Sequence, residues 1–89
     1  MKHLYLAIYS IIAPPEVSPK FFTTEEIYAE NDHGAIAKAE NIEIALDTIE
    51  NNRPGTAKNL LTAKAIILNN IRDQENKRTI YTVGYTTNE

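Results

Sequence analysis

Cysteine is absent from this chain of 89 residues, and glycine is scarce, with three copies at positions 34, 55 and 84. The first absence excludes disulfides, thiolate metal sites and cysteine nucleophiles. Small secreted domains commonly lean on disulfides, so their absence points to the cytoplasm. The second excludes a glycine-rich phosphate loop, because Gly34, Gly55 and Gly84 stand far apart. No run is long enough to span a bilayer as a helix. The longest apolar stretch, Leu4–Ala13, is interrupted by Ser10. With Lys2 before it, this stretch faintly resembles the apolar part of a signal peptide, but Pro14 and Pro15 occupy the place of a small-residue cleavage site. No membrane partner is expected. The motifs H-E-x-x-H and G-x-S-x-G are missing, as is a glycosylation sequon.

What is present describes an ordinary globular chain. Forty-three per cent of the residues are apolar and charges are interspersed among them, which is not the balance of a disordered segment. The length suits one domain, 1–89, with a modest core and little room for a deep cleft. Isoleucine and asparagine are abundant, which suggests an AT-rich coding sequence and hence a phage, plasmid or low-GC bacterial origin. The net charge of −3 hides an asymmetry. Residues 16–50 carry nine acids against Lys20 and Lys38, a balance of −7. Residues 51–78 carry six bases against Asp73 and Glu75, a balance of +4. Either the two blocks complement each other within the fold, or they make a polar molecule suited to a charged partner.

The chain divides into elements. Leu4–Ile12 fits a strand or a helix, and its β-branched and aromatic content favours the strand. Leu4, Leu6, Ile8 and Ile12 would then share one face, with Tyr5, Ala7, Tyr9 and Ile11 on the other. Ala13–Lys20 holds three prolines and reads as a loop. Phe21–Glu30 reads as a strand with Ile27 and Ala29 facing the core. Asn31 or Asp32 would cap the following helix. Ala35, Ala39, Ile42, Leu46 and Ile49 give that helix an apolar stripe, and Asn51, Asn52 and Pro54-Gly55 end it. Residues 56–76 are ambiguous. Leu60, Leu61, Ile67, Leu68 and Ile71 would line a second helix, or Ala65–Arg72 is a strand turned by residues 73–77. Thr79–Thr86 is strongly β-prone.

The expected fold is α+β: a small antiparallel sheet of three or four strands, in the order β-β-α-[α or β]-β, with one or two helices on one face. A winged helix is the alternative. It follows if Thr23-x-x-Glu26 acts as a capping box and Thr23–Asn31 is helical.

Candidate functional residues are few. Two histidines, His3 and His33, do not make a metal site. His33 beside Asp32 could be read as an assisted general base, but adjacent helical residues do not face each other. Neither catalytic residues nor a cofactor is expected. The tyrosines are the feature that points beyond folding. All five, Tyr5, Tyr9, Tyr28, Tyr81 and Tyr85, fall in strand-like runs. Tyrosine suits half-buried pleated surfaces and protein contacts. The expected function is therefore a small non-enzymatic interaction protein. It would bind a protein partner, or itself as a homodimer, through a tyrosine-bearing sheet face. A phage or mobile-element accessory or inhibitor fits the size. The alternative is a nucleic-acid-binding module of winged-helix type, touching phosphates through Lys58, Lys64, Arg72, Lys77 and Arg78.

Overall fold

The computed structural model describes residues 1–52 and 64–83. Strand β1 runs His3–Ile12 and strand β2 runs Lys20–Ala29. The proline loop joins them as an antiparallel pair, in a register from His3 opposite Ala29 to Ile11 opposite Lys20. Helix α1 spans Asp32–Asn51. Strand β3, Ala65–Asp73, lies antiparallel to β1 on its other side, and β4, Arg78–Thr82, pairs with β3. The sheet order is β2-β1-β3-β4. This is a small α+β fold with a single helix among the described residues.

The ambiguous stretches resolve through pairing. Residues 65–72 are strand, as the second of the two readings has it. The winged-helix outline does not form, because Thr23 to Ala29 lie within β2. There Ile27 and Ala29 are buried while Glu26 and Tyr28 are exposed, a period of two that suits a sheet with one covered face. Partnership with β1 outweighs the capping-box pattern. The last strand ends at Thr82, and residues 84–86 lie outside the described residues, as do Leu60 and Leu61.

The helix covers one face of the sheet. Beneath it Tyr5, Ala7 and Tyr9 of β1 meet Ile27 and Ala29 of β2 and Ile66, Leu68 and Ile71 of β3. Ala35 and Ala39 supply the helix side of this core and are fully buried. Their small side chains let the helix backbone come close enough for the Tyr9 hydroxyl to donate to the Ala39 carbonyl at 2.8 Å. At the helix start the Asn31 side chain accepts from the Gly34 amide at 2.8 Å, as the capping expectation requires. At its end the Asn52 amide bonds the Ile49 carbonyl, and Pro54-Gly55 lie outside the described residues.

One part of the expected apolar stripe fails. Ile49 is 54% exposed, whereas Glu50 is buried and pairs with Lys64 at 3.7 Å. The stripe repeats every 3.5 residues on average and an α-helix turns every 3.6, so the pattern drifts around the axis. The second half of α1 keeps Ile42 and Leu46 against the core and also turns a polar row toward β3. Glu43, Asp47 and Asn51, four residues apart, accept from the amides of Leu68, Ile66 and Lys64. These alternate amides lie beyond the end of β4, which stops at Thr82 opposite Asn70. A strand edge presents unpaired donors that must be satisfied. Here side chains of the helix do so.

Candidate interaction face

The sheet has two apolar faces, and α1 covers only one. Residues directly opposite in the pairing share a face. On the uncovered side Leu4, Leu6, Ile8 and Ile12 of β1 stand in a line, and Ile67 of β3 lies opposite Ser10. All five apolar residues are partly buried, and none belongs to the core beneath the helix or to the residues packed against it. Phe21 and Tyr28 of the outer strand join them, 69% and 52% exposed. The register arranges this face in rows across the strands. Tyr28 lies beside Leu4; Glu26, Leu6, Arg72 and Thr79 form the next row. Thr24, Ile8, Asn70 and Thr82 follow, then Phe21, Ser10 and Ile67. Apolar residues hold the middle of the face, while one acid and one base flank Leu6.

Three register shifts shape this surface, one of them between β3 and β4 at Ile71/Arg72 and two along β1. The pairing of β1 with β2 shifts between Tyr9 and Ser10, and that of β1 with β3 shifts between Ile8 and Tyr9. The extra residue in β3 is Asn69, whose amide donates to the Ser10 hydroxyl at 3.2 Å. Ser10 is thereby buried with its polar group satisfied.

The five tyrosines do not share a face. Tyr5 and Tyr9 lie on the helix side, 2% and 0% exposed, so neither can touch a partner in this fold. Burial, with Glu25 and Glu43 nearby, pushes the Tyr9 phenol far above its ordinary pKa. Burial and then the Asp32 carboxylate push the Tyr5 phenol up as well. Both hydroxyls are donors that fasten the helix to the sheet: Tyr5 donates to Asp32 at 3.0 Å and Tyr9 to Ala39. Tyr81, opposite Ile71, packs half-buried against the core. Only Tyr28 stands on the open face, and Tyr85 lies outside the described residues. The expectation of one tyrosine-bearing face is corrected for Tyr5 and Tyr9. The residues on the face that α1 leaves open are the aliphatic ones of the same strand. Their signal is in the sequence: Leu4–Ile12 is apolar at both odd and even positions, so both faces of that strand are apolar.

The second feature is a depression of about 440 Å³ at the end of the sheet, lined by His3, Tyr5, Asp32, Asp73 and Arg78 among others. Its central groups are spent on one another. Arg78 bridges Asp32 at 2.9 Å and Asp73 at 3.3 Å. Asp73 also accepts from the Asn76 side chain at 2.8 Å and from the amides of Glu75 and Asn76. The Asn76 side-chain amide is the main cause that holds the Asp73 carboxyl below the usual range, against the cost of its burial. Glu75 accepts from the His3 ring at 2.9 Å and from the Leu4 amide, which hold its carboxyl low too. This network pins the start of α1 and the β3–β4 turn to the sheet end. His33 is exposed on its rim. No group of three or more His, Asp or Glu that could hold a metal occurs among the described residues.

The basic residues of the nucleic-acid alternative are dispersed. Arg78 is paired as above and Lys64 lies near Glu50, at opposite ends of β3. Lys77 is in the turn, Arg72 is on the open face, and Lys58 lies outside the described residues. The pairs Lys64–Glu50 and Arg78–Asp32 join the basic and acidic blocks, so part of the charge asymmetry is internal complementarity. No described helix is long and apolar enough to cross a membrane. Comparison with family models, curated proteins and solved structures finds no match to this chain.

Proposed function

We propose that this chain is a small non-enzymatic interaction protein that works through the uncovered face of its sheet. The observation that carries this is the line Leu4, Leu6, Ile8 and Ile12, continued by Phe21, Tyr28 and Ile67, on the side of the sheet that α1 does not cover. A contiguous apolar patch, partly exposed at its centre and open at Phe21 and Tyr28, with a polar rim, supports use as an interaction surface. Its composition supports that use, with an aliphatic centre, an aromatic residue at two corners and single charges at the rim. A phage or mobile-element accessory protein, acting on a protein partner in the cytoplasm, fits this reading.

Ile8→Lys tests it. A lysine in the middle of the open face leaves the helix-side core intact, so far-UV circular dichroism and thermal unfolding are expected to stay close to wild type. Association, whether self-association by sedimentation or capture of a partner, is expected to be lost. Wild-type association in a folded Ile8→Lys protein would overturn the proposal.

A further inference from the structure

We infer that the occupant of the open face is a second copy of this chain, packed sheet to sheet about a two-fold axis parallel to β1. The inference rests on the proposed use of that face and adds the partner and its orientation. It comes from the rows that the register sets up. In an isologous pair each copy offers the same patch, which must complement itself. Two orientations bring the faces together with strands aligned, as packed sheets prefer. With the axis along β1, each residue of β2 meets the partner's β3 residue of the same row. Glu26 then faces the partner's Arg72, Thr24 the partner's Asn70, and Phe21 the partner's Ile67. Leu4, Leu6 and Ile8 lie near the axis and meet their own counterparts. Charge meets opposite charge, amide meets hydroxyl, and apolar meets apolar. With the axis across the strands, β2 lies on β2 and β3 on β3, so neither charge meets its opposite.

Among the described residues neither charge has an ion-pair partner of its own. Strands stand ~4.8 Å apart, so Glu26 and Arg72, separated by β1, are about 10 Å from each other. Neither side chain makes a hydrogen bond or ion pair among the described residues, and both residues are exposed. A charge enclosed in an interface without a partner is costly, which disfavours the crossed arrangement and favours the aligned one.

Charge reversal in trans tests the orientation. Sedimentation is expected to show wild type as a dimer at micromolar concentration. Glu26→Arg alone sets arginine against the partner's Arg72 at both of the sites that flank the axis, and Arg72→Glu alone sets acid against acid there. Each is expected to dimerise at least ~10-fold more weakly while keeping its circular dichroism spectrum. Mixing the two variants gives a heterodimer in which both sites set an arginine of one chain against a glutamate of the other, so mixing is expected to restore association. The double variant Glu26→Arg/Arg72→Glu restores an opposite-charge pair at both sites and is expected to dimerise with near wild-type affinity. A wild-type dimer that tolerates both single reversals, or that the double reversal does not restore, would overturn the aligned orientation. A wild-type monomer would overturn the second copy as occupant. If that monomer still captures another protein in an Ile8-dependent way, the open face remains an interaction surface. If it captures none, both readings fall.

Discussion

At the scale of single residues, the phenols of β1 are structural pegs. Tyr9 reaches the Ala39 carbonyl from a fully buried position, and Tyr5 reaches Asp32 at the helix start. Tyr9→Phe keeps the ring and loses the bond, so urea unfolding is expected to show a loss of ~1 kcal/mol. Asp73 contributes to the acid sensitivity of the fold. Its carboxyl is held below its ordinary value, first by Asn76. Its contribution to stability is therefore complete above the unfolded value of ~3.9 and is lost as pH falls through the lower folded value. Glu75 adds to the loss in the same direction through His3 and Leu4. Unfolding midpoints measured from neutral pH downward are expected to fall below about pH 4. Asp73→Asn, already less stable at neutral pH, is expected to show a shallower acid limb. The tyrosines can be placed on strands from the sequence, but not on a side. Tyrosine serves equally in a core with its hydroxyl bonded and on a contact surface. Alternation puts Tyr5 and Tyr9 on one face. Which face the helix takes depends on contacts that no single run encodes.

At the scale of elements, α1 is two helices in function. Its first half packs alanines on the tyrosines of β1, and its second half uses Glu43, Asp47 and Asn51 to satisfy three amides of β3 and its approach. Asp47→Ala leaves the Ile66 amide without its acceptor and is expected to cost ~1–3 kcal/mol in chemical denaturation. Asp47→Asn keeps an acceptor at the same place and is expected to recover most of that loss. The start of α1 is legible because Asn31 before an alanine-rich run has a direct physical meaning. Its end departs from the stripe at Ile49 because an apolar stripe assumes that the whole helix lies on apolar strand residues. The row Glu43, Asp47 and Asn51 reads from sequence as a solvated face, and only the position of β3 turns it into a set of acceptors. The strand nature of residues 65–72 is one of two open readings for the same reason: Ile66 and Ile67 suit either state until β1 is beside them.

At the scale of the whole molecule, the fold is a sheet with one helix among the described residues, and that helix covers one of the sheet's two apolar faces. The α+β class and the strand-strand-helix opening are legible from alternation, the proline loop and the cap. The two-faced character of β1 is legible too, in the apolar residues at both parities of Leu4–Ile12. What the sequence does not rank is the aliphatic face against the aromatic one. Placing Tyr5 and Tyr9 beneath the helix leaves Leu4, Leu6, Ile8 and Ile67 on the face that α1 does not cover, the surface that the proposed function uses. Methyl NMR of those four residues, followed as protein concentration rises, tests this most directly. The account predicts concentration-dependent shifts at Leu4, Leu6, Ile8 and Ile67, with Ile66 and Ile71 on the helix side unmoved. Shifts confined to the helix side, or none at any residue at concentrations where the protein associates, would contradict it.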